Sequence, residues 1–321
     1  MELDGQYRAA RTEAAMGWLE RSLVTVSGPD GAEYLQGQLT NDIEALEPGQ
    51  GCYSALLDRK GRMQADMRVL RLSSEEIWIL LEPEPLAASL RHLTMYSVGR
   101  DVTIEDESAS IRILALVGPA AAERTGLPPL AGEDAHAIAQ VDGIEARAVR
   151  TESGLDLLVA AAEADGLARA LAARGVPEVD ESALEILRVE SGRPRFGREM
   201  TNATIPQEAG INERAVSFTK GCYIGQETVA RLHYKGKPNR HLRGLRLAGP
   251  VPAGSSVRLE ERELGQVGTA VLSPAHGPIA LAVLRREAEP GASVEIDLDD
   301  GESVRAEVVD LPFETVASQA T

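Results

Sequence analysis

The last 80 residues constrain the fold most. Short apolar runs follow one another there: Leu242 to Leu247, Val257 to Glu260, Val267 to Leu272, Ile279 to Leu284, Val294 to Leu298 and Val304 to Val309. Gly and Pro punctuate them, and no run is long enough to form a helix, so they read as strands. Asp300-Gly301 has the composition of a hairpin turn. Short strands with no helix among them satisfy their edges most simply by closing on themselves, which predicts a small β-barrel.

The chain before them mixes strand and helix signals. Leu23 to Val26 reads as a strand ended by Gly28-Pro29. Asp30 and Glu33 have capping-box spacing for a helix that carries Tyr34 and Leu35 inward. A strand through Ser54 to Leu57, a turn at Asp58 to Gly61 and a strand from Met63 to Leu72 read as a hairpin, with Ile77 to Leu81 a further strand and Pro85 to Met95 a helix. A second block repeats the outline. Ile111 to Val117, Ile144 to Val149 and Gly154 to Val159 read as strands, while Pro119 to Arg124 and Ala161 to Arg174 read as helices, the latter stopped by Gly175. The fold class is therefore α+β: two pseudo-repeated α+β parts, residues 1–108 and 109–240, then a C-terminal β-barrel over 241–321.

With 43% apolar but only 3% aromatic residues, the core must be aliphatic. The longest apolar run, Leu155 to Ala162, is far short of the ~20 residues that cross a bilayer. The first residues are acidic and lack the pattern of a secretion signal, so a cytoplasmic location with no membrane association is expected. Two distant cysteines, Cys52 and Cys222, speak against a disulfide framework or a zinc site, and no resident metal is expected.

A net charge of −17 argues against stable nucleic-acid binding. The exception is local: between Lys220 and Arg246 there are seven cations and a single anion, Glu227. Such a stripe is either a solvated loop or a seat for an anionic ligand or partner.

Chemistry concentrates in few places. On a helix from Asp180 to Ser191, Glu190 falls on the apolar stripe of Ala183, Ile186 and Leu187, near the helix C-terminus, where the dipole disfavours an anion. A carboxylate so placed needs a ligand, a hydrogen bond or a salt bridge to Arg193 or Arg195. In Lys220-Gly221-Cys222-Tyr223-Ile224-Gly225-Gln226-Glu227, two glycines bracket the cysteine, and Gln226 can open a helix just beyond it. Lys220 and the helix end would favour a thiolate able to act as nucleophile, transient metal ligand or redox handle. The plainer reading is a small buried hydrophobe in a turn. Cys52, among strand residues, reads as core. Asp66 shares a strand face with Gln64 and Arg68 and reads as a surface carboxylate paired with Arg68. No Walker loop, dinucleotide fingerprint or nucleophile elbow is present.

Taken together, the motif from Lys220 to Glu227, with Ala230-Arg231 and Tyr234-Lys235-Gly236 after it, resembles the signature of the YgfZ family, which is related to the aminomethyltransferase (T-protein) of the glycine cleavage system. The runs Tyr34 to Asp42, Leu56 to Arg62 and Leu187 to Pro194 resemble it as well. The resemblance implies a three-part architecture around a central channel that binds tetrahydrofolate or a derivative. It implies that Glu190 grips the pterin ring, that Asp66 faces the folate's reacting nitrogens, and that Phe196 stacks where a Tyr is common. Gln226 and Arg231 would also belong to the ligand site, with Arg231 a counter-charge for the folate's glutamate tail. It further implies an accessory protein, not a turnover enzyme, that assembles or repairs iron–sulfur proteins, tRNA-modifying enzymes among them. Cys222 and Lys220 would act towards those client proteins or the assembly machinery. The alternative implied by the same kinship is a folate-dependent aminomethyl transferase in which Asp66 assists catalysis.

Overall fold

A computed structural model describes residues 1–126, 129–299 and 301–313. Two compact units are present: Met1–Leu184 with Glu213–Glu227, and Glu185–Asn212 with Thr228–Thr321.

The first unit holds ten strands among the described residues: β1 (Ala15–Leu19), β2 (Ser22–Ser27), β3 (Gly51–Leu57), β4 (Met63–Arg71), β5 (Glu76–Leu81), β6 (Thr103–Asp106), β7 (Ile111–Val117), β8 (His136–Val141), β9 (Ile144–Arg150) and β10 (Gly154–Ala160). They form two antiparallel five-stranded sheets, ordered β3-β4-β5-β2-β6 and β8-β9-β10-β7-β1. Position by position, β3, β4, β5 and β2 correspond to β8, β9, β10 and β7, so the expected pseudo-repeat is a repeat of topology. The fifth place differs: β6 follows its own block, whereas β1 reaches the second sheet from the N-terminal end of the chain.

Each sheet buries apolar side chains on both faces, so several of its strands, β7 and β10 among them, read as continuous apolar runs. One face of the first sheet packs Val24, Val26, Val69 and Ile79 under the helices Gly31–Gln38 and Leu86–Tyr96, through Tyr34, Leu35 and Leu93. The second sheet does the same with Leu114, Leu155 and Leu157 under the helix Ala164–Ala173, through Leu167 and Leu171. The remaining faces meet through Leu23, Leu70, Leu80, Ile113, Val149 and Leu158.

One local expectation gives way to tertiary contacts. Asp30 makes no side-chain cap on its helix; its Oδ2 accepts the Asp101 N–H at 2.9 Å, and Glu33 takes Arg100 at 2.7 Å. The helix Leu3–Thr12 and the short strands β1, β6 and β8, of four to six residues each, are not expected from the sequence. The turn expected at Asp300-Gly301 falls partly outside the described residues.

Polar groups also lie between the two sheets. Arg68 of β4 donates to Asp134 at 2.5 Å and to Asp156 of β10 at 2.6 Å. Nearby, Arg147 of β9 donates to His136 Nδ1 at 3.0 Å and sits 5.4 Å from the centroid of the Trp78 ring. Burial, with the Arg147 charge beside it, pushes His136 down to about 4. Below an ordinary value of about 6.5 the unfolded chain takes up a proton that folded His136 refuses. Stability is therefore full above pH 6.5 and is lost as pH falls towards 4, by about 3 kcal/mol for this group. Unfolding free energies from urea denaturation at pH 7 and pH 4.5 should differ by roughly that much less in His136→Gln than in the parent; equal differences would show that His136 does not govern the acid limb.

In the second unit, β11 (Arg240–Leu247), β12 (Ser256–Leu259), β13 (Arg262–Ser273), β14 (Gly277–Arg285), β15 (Ser293–Asp297) and β16 (Ser303–Val309) close into a barrel ordered β11-β14-β13-β12-β15-β16. Its interior is aliphatic, built on Leu245, Val257, Leu264, Leu284, Ile296 and Val308. The barrel read from the C-terminal pattern is thus present strand for strand.

Candidate functional site

In the first unit the motif loop is held from several sides. Lys220 Nζ donates to the carbonyls of Gln36, Leu39 and Asn41, each at 2.7 Å, which uses all three of its protons. Burial pushes this ammonium down to about 8, and Asp42 pulls the other way. Beside it the Tyr223 ring is buried, 5.2 Å from the Lys220 nitrogen, with its phenol pushed up to about 12 by burial. Ile224 donates its N–H to Gly37 O at 3.3 Å. Gly225 adopts φ +85°, and a Cβ there would lie 2.5 Å from the carbonyl oxygen of Asp58, so only glycine fits. The helix Gln226–Lys235 begins directly after it.

Cys222 lies in this fastened loop and is exposed. That overturns the plainer reading of a small buried hydrophobe: the neighbours Tyr223 and Lys220 take the interior, and the thiol is left outside. Cys52 behaves as expected, packing against the core of the first sheet, with burial pushing its thiol up to about 12.

Asp66 is not paired with Arg68. The alternation in β4 is as read, with Met63, Ala65 and Met67 inward and Gln64, Asp66 and Arg68 on the other face. That face, however, is covered. Arg68 is drawn to Asp134 and Asp156, and Asp66 Oδ2 accepts the Tyr53 hydroxyl at 2.7 Å. Its Oδ1 is buried with no hydrogen-bond partner, and burial raises the carboxyl despite Tyr53. A buried acceptor left without a partner carries a desolvation cost that the hydrogen bond from Tyr53 to the other oxygen does not remove. A hydrogen-bond path joins it to the motif loop. Lys220 donates to Asn41 O, Asn41 Nδ2 to Tyr53 O at 2.8 Å and to Arg214 O at 2.9 Å, and Arg214 lies 4.6 Å from the Tyr53 ring centroid. Tyr53 and Arg214 escaped the sequence reading. Tyr53 is diagonal to Asp66 because Ala55 is the cross-strand partner of Asp66, a signal that exists only once the register is known.

In the second unit Glu190 ends its helix and is buried, 3% exposed. Ser273 Oγ donates to its Oε1 at 2.6 Å and accepts the N–H groups of Ala275 and His276 at 3.0 Å. The Glu190 carbonyl accepts the Phe313 N–H at 2.9 Å. Two residues earlier, Arg188 binds Glu185 at 2.7 Å, Glu199 at 3.1 Å and Thr269 at 2.8 Å, and Phe196, between Arg188 and Glu199 in the chain, is buried. Arg231 is exposed on the helix Gln226–Lys235. Part of the basic stripe is committed to the barrel, since Arg243 donates to Ala288 O at 3.2 Å and Arg246 lies 5.9 Å from the Phe313 ring centroid. Of the expected site residues, Asp66, Lys220, Cys222 and Gln226 thus fall in the first unit, and Glu190, Phe196 and Arg231 in the second.

Among the described residues no group of three or more His, Cys, Asp or Glu is placed to hold a metal ion, and no helix is long and apolar enough to cross a membrane.

The GCVT N-terminal domain matches residues 8–220, and the glycine cleavage T-protein C-terminal barrel domain matches 240–314. An aminomethyltransferase of Rubrobacter xylanophilus is 31% identical over 97% of this chain and 86% of its own length. An uncharacterized protein of Haemophilus influenzae is 32% identical over 68% of each. The crystal structure of the glycine cleavage system aminomethyltransferase T from Bartonella henselae superposes with a TM-score of 0.86, at 25% identity, covering 97% of this chain and 89% of that one.

Proposed function

This chain belongs to the glycine cleavage T-protein family, and we propose that within it the chain is a tetrahydrofolate-binding accessory protein of the YgfZ type, acting on iron–sulfur client proteins or their assembly machinery through Cys222. The observation that carries this reading is an exposed thiol on a loop that Lys220, Tyr223 and Gly225 hold in place. A loop anchored so thoroughly, with its one nucleophile facing solvent, is built for a reactant that arrives from outside, as a partner protein does. Glu190 takes the pterin edge in this reading. A carboxylate can accept two hydrogen bonds from the ring's amino and N–H groups, and Ser273 fixes its rotation. Phe196 contributes to that ligand site, and Arg231 offers a positive charge to the glutamate tail.

The test pairs calorimetric titration with tetrahydrofolate and a client assay, on the parent and Cys222→Ser. Unchanged folate binding with client activity lost is the expected result. Client activity that survives in Cys222→Ser removes the accessory role.

Aminomethyl transfer is the second reading. It is favoured by the unpartnered Oδ1 of Asp66 and by relatives named aminomethyltransferases that span nearly the whole chain. A carboxylate there would stabilise the cationic centre of the migrating one-carbon unit or take its proton. Methylene-tetrahydrofolate formed from an aminomethyl donor and abolished in Asp66→Asn would establish it; no product above background would end it.

A further inference from the structure

We propose that a surface next to the motif loop, formed by the β3–β4 turn and the end of the helix Leu86–Tyr96, docks an acidic segment of a partner protein bearing an apolar side chain. This rests on the reading that Cys222 acts on a partner, and it names the chemistry of that partner.

The pieces adjoin. Gly225 packs against Asp58 and Gly61 of the turn, and Ile224 is bonded to Gly37. From there His92 Nε2 meets Gln38 Oε1 at 3.1 Å, His92 stacks on Tyr96 with ring centroids 4.6 Å apart, and Arg59 reaches the Tyr96 hydroxyl at 3.5 Å. The face is apolar at its centre. Eight large apolar residues are exposed among those described, and three of them, Met95 (65%), Tyr96 (40%) and Val98 (85%), fall within four consecutive positions. Scattered exposed hydrophobes need no explanation, but a cluster does.

Its charge runs against the rest of the molecule. Arg59, Lys60, Arg62 and Arg91 are exposed and make no ion pair with another described residue. The turn's own carboxylate, Asp58, is turned back to accept the N–H groups of Lys60 and Arg62. A cationic patch on a chain of net charge −17 is complementary to an acidic surface, and screening over about 8–10 Å confines its field to what docks there. A nucleic acid fits less well. The remaining surface repels its phosphates, and the apolar cluster offers them nothing.

The test is the rate at which Cys222 in the full chain captures two synthetic peptides, each carrying one leucine and one cysteine, flanked by Asp and Glu in one and by Lys in the other. The peptide cysteine is activated as a mixed disulfide with nitrothiobenzoate. Cys222 loses its proton to solvent and its sulfur attacks the peptide sulfur. The new disulfide forms as the old one breaks, and nitrothiobenzoate leaves with the electron pair and is read by its colour. Cys222→Ala supplies the blank for Cys52. At low salt the acidic peptide should react faster, on the order of tenfold, although the net charge of the whole chain favours the basic one. Arg59→Glu with Lys60→Glu should reverse the order, and Met95→Ser with Val98→Ser should slow the acidic peptide severalfold at any salt. A faster basic peptide, or an order that ignores these substitutions, overturns the proposal. So does a single-stranded RNA that shields Cys222 better than the acidic peptide. The assay contains neither folate nor client, so its failure leaves the folate titration standing, and failure of the titration leaves the peptide order intact.

Discussion

Glu190→Ala should weaken tetrahydrofolate binding on the order of 100-fold, about 3 kcal/mol, while Cys222→Ser leaves it unchanged. Two charge-assisted hydrogen bonds from the pterin edge would be lost together, and each contributes about 1.5–3 kcal/mol when its partner is desolvated. The site supports that value, since Glu190 is 3% exposed and Ser273 holds Oε1 at 2.6 Å, so little ordering is left for binding to accomplish. Glu190→Gln keeps an acceptor and replaces the other oxygen with a donor, and should fall between the two. Calorimetric titration checks this, with circular dichroism to verify that the variants fold. Full affinity in Glu190→Ala would reduce Glu190 to a structural partner of the Ser273 turn and withdraw the ligand assignment.

The largest stability effect is expected at Arg68. It lies between Asp134 and Asp156, whose side chains are 5% and 11% exposed, and its own charge is reinforced by both. Arg68→Met leaves two carboxylates facing one another out of water. Removing one member of such a buried set costs about 3–5 kcal/mol, mostly the penalty of the stranded charges and not the net worth of the ion pairs. Two further results discriminate. Asp134→Asn with Asp156→Asn should restore much of the loss in the Arg68→Met background, because nothing charged is then stranded. Lowering the pH to 5 should also narrow the gap between Arg68→Met and the parent, since burial raises the Asp134 carboxyl and the Arg68 charge that opposes this is then gone. A loss below about 1 kcal/mol in urea denaturation, insensitive to the second pair of substitutions, would show that water reaches the site.

What the sequence determined by itself is periodic or local. Six apolar runs bounded by Gly and Pro are six barrel strands, because closure of short strands leaves little choice of architecture. The two strand–helix blocks appear as two sheets of matching order, since apolar runs of five to seven residues covered on both faces have one stable use. Gly221 and Gly225 around a cysteine also marked the motif loop, and Gly225 does sit where another backbone comes within contact.

The tertiary structure decided everything that depends on which side chain meets which across a long separation. Arg68 and Asp66 are two residues apart on one strand face, the spacing of a local pair, yet Arg68 goes to partners 66 and 88 positions away and Asp66 to Tyr53. Local spacing sets only which groups are close enough to interact. Burial of that face by a second sheet raised the cost of every unpaired charge on it, and the arginine went where it could neutralise two. Lys220 shows the same limit. In sequence it adjoins Cys222 as a potential activating charge, and in the fold its three protons are taken by carbonyls some 180 positions away. Cys222 itself was ambiguous between a buried hydrophobe and an exposed nucleophile, because a cysteine carries no hydropathy signal strong enough to choose. The choice fell to its neighbours: Tyr223 and the Lys220 stem fill the space beneath the loop, and the thiol is left at the surface.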